Sequence, residues 1–178
     1  MIFDALLQPA RAVTLCTLTA GLLGCAGDYK PSGQPSFYKS MASPDAQLDA
    51  KAAASMISGY RRNNGLGIVT LDDHLMRMAQ EQARAMASKN RFEHDAAGPL
   101  AQRIKRSGYD AKVAVENIGA GYHTLAEAFS GWRDSPPHRA NMLRSGVTKM
   151  GIAAAYAPNT KYKVFWALIL AAPDDHRG

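Results

Sequence analysis

Cysteine is nearly absent from this chain of 178 residues: there are two, Cys16 and Cys25, and both lie in or at the end of an apolar N-terminal run. No disulfide is open to whatever follows residue 25, so a folded body there must hold together by packing. The same absence removes a cysteine-ligated zinc site and a thiol nucleophile from that part. Neither Gly-x-Ser-x-Gly nor His-Glu-x-x-His occurs, so the sequence carries no serine-hydrolase elbow and no zincin helix. Nothing resembles a repeat, and at 47% hydrophobic the chain can supply one core but hardly two.

Charge is the next constraint. The net charge is +6, and Asp4 and Arg11 of the first 24 residues cancel, so the remainder is basic as well. A basic surface suits anionic lipid head groups or acidic cell-wall polymers. Lys and Arg are nevertheless scattered, with short clusters only at Arg61-Arg62 and Arg103 to Arg106. They read as solubilising surface, and no nucleic-acid partner is expected.

Arg11 precedes an apolar run from Ala12 to Gly24. It is shorter than the roughly 20 residues a spanning helix needs and fits the core of a secretory signal. The run ends in Leu22-Leu23-Gly24-Cys25, which resembles the bacterial lipobox, in which the cysteine becomes the acylated first residue. Residues 1–24 are thus expected to be a signal peptide and Cys25 a membrane address, held by two or three acyl chains. Ala26, in place of the aspartate that retains lipoproteins at the inner membrane of enteric-type bacteria, points to the outer membrane where the host has one. Residues 25–43, with Pro31, Pro35 and several Gly and Ser, read as a flexible tether with an r.m.s. reach of roughly 25 Å, while Tyr29, Phe37 and Tyr38 leave open that part of it docks on the domain.

Residues 44–178 read as the domain. Ser43-Pro44 offers a cap and first-turn proline for a helix carrying Leu48, Ala52, Met56 and Tyr60, which Asn63-Asn64-Gly65 ends. Asp72 or Asp73 caps a second helix with Leu75, Met78, Ala79, Gln82, Ala83 and Met86 on one face. A short third helix runs from Pro99 to Ser107, and Val113 to Ile118 reads as a strand. Thr124 caps a fourth helix through Trp132, and Ser135-Pro136 opens a fifth. Met150 to Tyr156 and Tyr162 to Ala171 read as a hairpin whose second strand is apolar on both alternating faces, so helices must cover it on both sides. The fold class that follows is α/β, a three-layer α-β-α sandwich.

Within that frame stand His94-Asp95, Gly108-Tyr109, Glu116-Asn117-Ile118-Gly119 and the block from Trp132 to Leu143, Trp-Arg-Asp-Ser-Pro-Pro-His-Arg-Ala-Asn-Met-Leu. In order and spacing these resemble the motifs of the CAP (SCP-domain) superfamily in its bacterial branch, over about Leu48 to Pro173. Read on its own, Glu116 is a carboxylate in an apolar strand, costly to bury unless a cation or donors compensate it. Histidine, or a metal held by histidine, is the natural candidate. His138 is expected near the amino end of its helix, where a neutral imidazole is favoured, with Asn141 one turn on. His94 on sequence alone is an exposed loop histidine.

The resemblance implies that His94, Glu116 and His138 meet in a central cavity, with Asn141 beside them. It also implies that the three could hold a divalent metal such as zinc. Asp95 is a candidate second partner for His94. The animal and plant branch commonly carries a second glutamate three residues after the tryptophan, and here that position is Ser135. His74, His123 and His176 read as solvated. Family resemblance implies a non-enzymatic binding module at the envelope that takes a lipid, cell-wall, metal or protein ligand. The alternative is a metal-dependent hydrolase in which His94 and His138 hold the metal and Glu116 activates water.

Overall fold

The computed structural model describes residues 33–174; the leader, the lipobox with Cys25, and His176 lie outside them. After a 3-10 turn at Ser36–Tyr38, five α-helices and four strands follow among the described residues: α1 (Ala50–Asn63), β1 (Thr70–Leu71), α2 (Asp73–Lys89), α3 (Leu100–Arg106), β2 (Ala111–Ala120), α4 (Leu125–Asp134), α5 (Pro136–Met142), β3 (Lys149–Ala157) and β4 (Lys163–Pro173). The strands form one sheet in the order β1-β3-β4-β2, with β1 parallel to β3 and the other pairs antiparallel.

β4 organises the layers. Val164, Trp166, Leu168 and Leu170 pack in one cluster with Ala53 and Ile57 of α1, Leu125, Ala128 and Trp132 of α4, and Met142 of α5. The intervening Phe165, Ala167, Ile169 and Ala171 pack on the other face with Leu75, Met78, Ala79, Ala83 and Met86 of α2. All eight of these strand residues are buried. A strand apolar at every position, paired on both edges and covered on both faces, yields the three-layer α-β-α sandwich that its sequence demands.

Local signals set the helix ends. Asp72 caps α2, accepting from His74 N at 2.9 Å and Leu75 N at 3.0 Å. Thr124 and Glu127 form a reciprocal capping box at α4. Ser135 holds the cap position of α5 with Pro136 in the first turn, but its side chain makes no capping hydrogen bond.

Two expectations are revised. The first helix starts at Ala50 and not at Pro44, because Asp49 captures its amino end, accepting from Ala52 N at 2.9 Å. The described part of the supposed tether, from Gly33 onward, is not free: Ser36 Oγ donates to Asp49 at 2.7 Å, Met41 N donates to His123 O at 2.6 Å, and the Met41 side chain enters the core. The apolar Phe37 packs on the same cluster.

Arg61, counted above as surface charge, is buried. Its Nε donates to Gly67 O at 2.9 Å, Nη1 to Met142 O at 2.8 Å and Arg144 O at 3.0 Å, and Nη2 to Val147 O at 3.1 Å. One guanidinium thereby fixes the loop between α5 and β3 against α1.

α2 lies directly on the β3 backbone. A Cβ placed on Gly151 would come within 2.1 Å of the Leu75 carbonyl carbon and 2.4 Å of Met76 N. Gly151→Ala should therefore lift α2 from the sheet, costing about 3 kcal/mol and lowering the melting temperature by roughly 10 °C. Thermal unfolding followed by circular dichroism checks this.

Candidate functional site

Glu116 lies on the face of β2 that packs with α2 and α3, since Ile118 and Ala114, two residues to either side, belong to that cluster. Its side chain is only 3% exposed. Two donors engage it: Arg103 Nη2 stands 2.5 Å from Oε1, and His94 Nδ1 stands 2.9 Å from Oε2. Arg103 is fully covered, while the His94 side chain is 59% exposed. The carboxylate is thus clamped from beneath by α3 and from above by a loop imidazole that faces solvent.

The His94 loop is itself tied down. Buried Gln82 of α2 donates to Glu93 O at 2.8 Å and accepts from Ala97 N at 3.0 Å. Lys89 Nζ donates to Ala96 O at 2.6 Å, and Arg103 Nε donates to Gly98 O at 2.9 Å. His94 therefore stands on a segment bracketed on both sides, although it lies between helices. Asp95 is exposed and turns toward Arg91, 4.0 Å away.

The block from Trp132 to Asn141 meets β2 from the other side. Trp132 Nε1 donates to Ile118 O at 2.9 Å, and Asn141 Nδ2 donates to Glu116 O at 3.0 Å and to Asn117 Oδ1 at 2.9 Å. Asn117 Nδ2 returns a bond to His138 O at 2.9 Å. β2 is an outer strand of the sheet, and these bonds satisfy carbonyls that its ladder leaves unpaired. They also fix α5, and with it His138, against the strand that carries Glu116. Burial, and then the charge on His94, hold the His138 imidazole below its ordinary value of 6.5.

All four of the residues singled out from sequence are thus positioned around β2: Glu116 and His94 in contact, His138 within electrostatic reach of His94, and Asn141 on the Glu116 backbone. The ligand set implied by resemblance fits less well. Both Glu116 oxygens already face donors, and a cation ligated there would sit beside the Arg103 guanidinium. Among the described residues no group of three or more His, Cys, Asp or Glu side chains is spaced to share a metal ion. Sequence reading missed the partner, Arg103. The signal available was its place between Leu100 and Ile104, which turns it to the packed side of a short helix opposite a strand that needs a cation.

Two outcomes follow. Glu116→Gln should destabilise the protein by about 3 kcal/mol, because it leaves a buried guanidinium without its counter-charge; Arg103→Met with Glu116→Gln should recover much of that loss. Urea titrations of the single and double variants check both. His138 binds its proton less readily in the folded chain than in the unfolded one, so acid favours unfolding: stability should decline as pH drops below about 6.5 and level off once pH passes the lower, folded-state value. His138→Gln should reduce the fall in melting temperature between about pH 7.5 and pH 5.

Known proteins share this fold. The profile of the CAP, or cysteine-rich secretory protein, family matches residues 54–170. The uncharacterized protein YkwD of Bacillus subtilis is 30% identical over 104 residues, which are 57% of this chain and 40% of that protein, so the match spans well under half of the relative. Among solved structures, an extracellular SCP-domain protein of Bacillus anthracis superposes with a TM-score of 0.60 at 24% identity, over 68% of this chain and 39% of that one. An outer surface protein of Borrelia burgdorferi superposes with a TM-score of 0.64 at 21% identity, over 71% and 93%. On the profile match and the shared fold together, the chain belongs to the CAP, cysteine-rich secretory protein, family.

Proposed function

We propose that this chain is an extracytoplasmic binding module, held at the envelope through Cys25, that engages a lipid or cell-wall ligand over the surface formed by His94 and His138. The observation that carries the reading is the engagement of Glu116. With a guanidinium on one oxygen, an imidazole on the other and only 3% of the side chain exposed, the carboxylate is held in its ionised form and largely shut off from water, which suits a hydrolytic base poorly. The carboxylate instead orients His94 and leaves its outer edge to solvent. His138, kept toward the neutral form by burial, offers a ring that both donates and accepts. Two rings at one surface suit polar recognition.

The address rests on separate support. The leader and its Leu-Leu-Gly-Cys end suit export and acylation, and structural relatives are described as an extracellular protein and an outer surface protein. A domain tethered beside a membrane meets lipid head groups and wall polymers first, and its net charge of +6 suits acidic ones.

The test compares the full chain with its His94→Ala/His138→Ala variant, each purified without chelator. The proposal expects substoichiometric metal in both and weaker retention of the variant on isolated cell walls or vesicles of host lipid. Stoichiometric zinc in the parent, lost in the variant, would establish the metal-dependent alternative instead. Labelled palmitate should enter the parent in its host and fail to enter Cys25→Ala, and equal labelling would refute the anchor.

A further inference from the structure

A second polar concavity lies between α2 and α3. It has a volume of about 250 Å³, and His74, Arg77, Glu81, Arg103, Arg106 and Ser107 contribute to its wall. Three of these six are arginines, against one carboxylate. Glu81 is engaged by Arg106 at 2.7 Å, while Arg77 is exposed and makes no ion pair among the described residues. Arg106 thus faces Glu81 and Arg103 faces Glu116, and the positive charge left over in the cleft is that of Arg77.

Its floor supplies an independent observation. Arg103 directs Nε to Gly98 O and Nη2 to Glu116, both along one edge of the guanidinium. Nη1, on the other edge, is buried and has no hydrogen-bond partner. A buried charged donor left unpaired costs free energy and calls for an occupant. A cation would meet the uncompensated charge of Arg77, and an apolar group would leave Nη1 unpaired. An oxyanion answers both, since it accepts from several arginines at once.

We propose that this cleft is a phosphate-binding site, with Arg77 and Arg106 as its arms and the buried Arg103 guanidinium, one of whose nitrogens has no partner, at its floor. The phosphate is either free or part of a lipid head group. Arg106 exchanges Glu81 for the ligand, and Arg77 gains the partner it lacks. Because Arg103 also clamps Glu116, the site is joined through a single planar group to the His94 imidazole. The two sites are distinct in residues, so the phosphate proposal stands or falls apart from the ligand reading of His94 and His138.

The experiment titrates the full chain, in nonionic detergent and phosphate-free buffer, with inorganic phosphate and separately with glycerophosphoglycerol, the deacylated head group of phosphatidylglycerol. Binding is read by calorimetry, with chloride as control. Saturable binding in the millimolar range or tighter, weakened about tenfold or more in Arg77→Gln/Arg106→Gln, is the expected result; the tighter of the two probes identifies the source. Failure of both probes to saturate, an equal response to chloride, or affinity unchanged in the double variant would overturn the proposal. Those two positions are exposed, so the variant should keep the parent's melting temperature, and that measurement separates loss of binding from loss of fold.

Discussion

A carboxylate set into a sheet that is covered on both faces must be met by positive charge, and the way Glu116 is met determines the surroundings of the site. Arg103 reaches it from α3, a helix of only seven residues that cannot draw much stability from its own hydrogen bonds. The ion pair fastens that helix to β2, and the same guanidinium holds Gly98, at the end of the His94 loop. Pairs of this kind add little net stability over an apolar equivalent. What they do is fix one arrangement, because a shifted loop or helix would leave a buried charge alone.

The motif block from Trp132 to Asn141 serves the same strand by another route. An indole and a carboxamide donate to outward-facing carbonyls of β2, which would otherwise invite another chain to pair there. Sealing an edge in this way suits these residue types, since both donate without carrying charge, and both stand on helices that the core already holds through Trp132 and Met142. His138 is placed as a by-product of the sealing, since its carbonyl accepts from Asn117 while its ring is left for other work.

Much of this was legible from residue order. The buried face of α2, comprising Leu75, Met78, Ala79, Gln82, Ala83 and Met86, emerges from 3.6-residue periodicity alone, and the two-sided burial of β4 from its unbroken apolar run. The caps at Asp72 and Thr124 are local chemistry and were equally plain. The start of α1 was not, because Ser43-Pro44 is also a good opening and only the fold shows that Asp49 takes the cap, accepting from Ala52 N. Arg61 and Arg103 read as surface charge because a single sequence registers charge but not the carbonyls and carboxylate that wait elsewhere in the fold. The grouping of Glu116, His94, His138 and Asn141 came through the resemblance of their motifs to the CAP family, whereas the clamp beneath them depends on a contact across 13 residues that no periodicity encodes.

The carbonyl cage around Arg61 has an implication for how the domain meets acid. Burial pulls this guanidinium down from its usual value, yet an arginine side chain stays protonated throughout the range in which proteins work. The joint between α1 and the far end of α5 is consequently indifferent to acidification. The near end of that helix carries His138, which is not. A fall in pH therefore adds charge at one end of a seven-residue helix while the guanidinium that holds the other end keeps both its charge and its carbonyl partners.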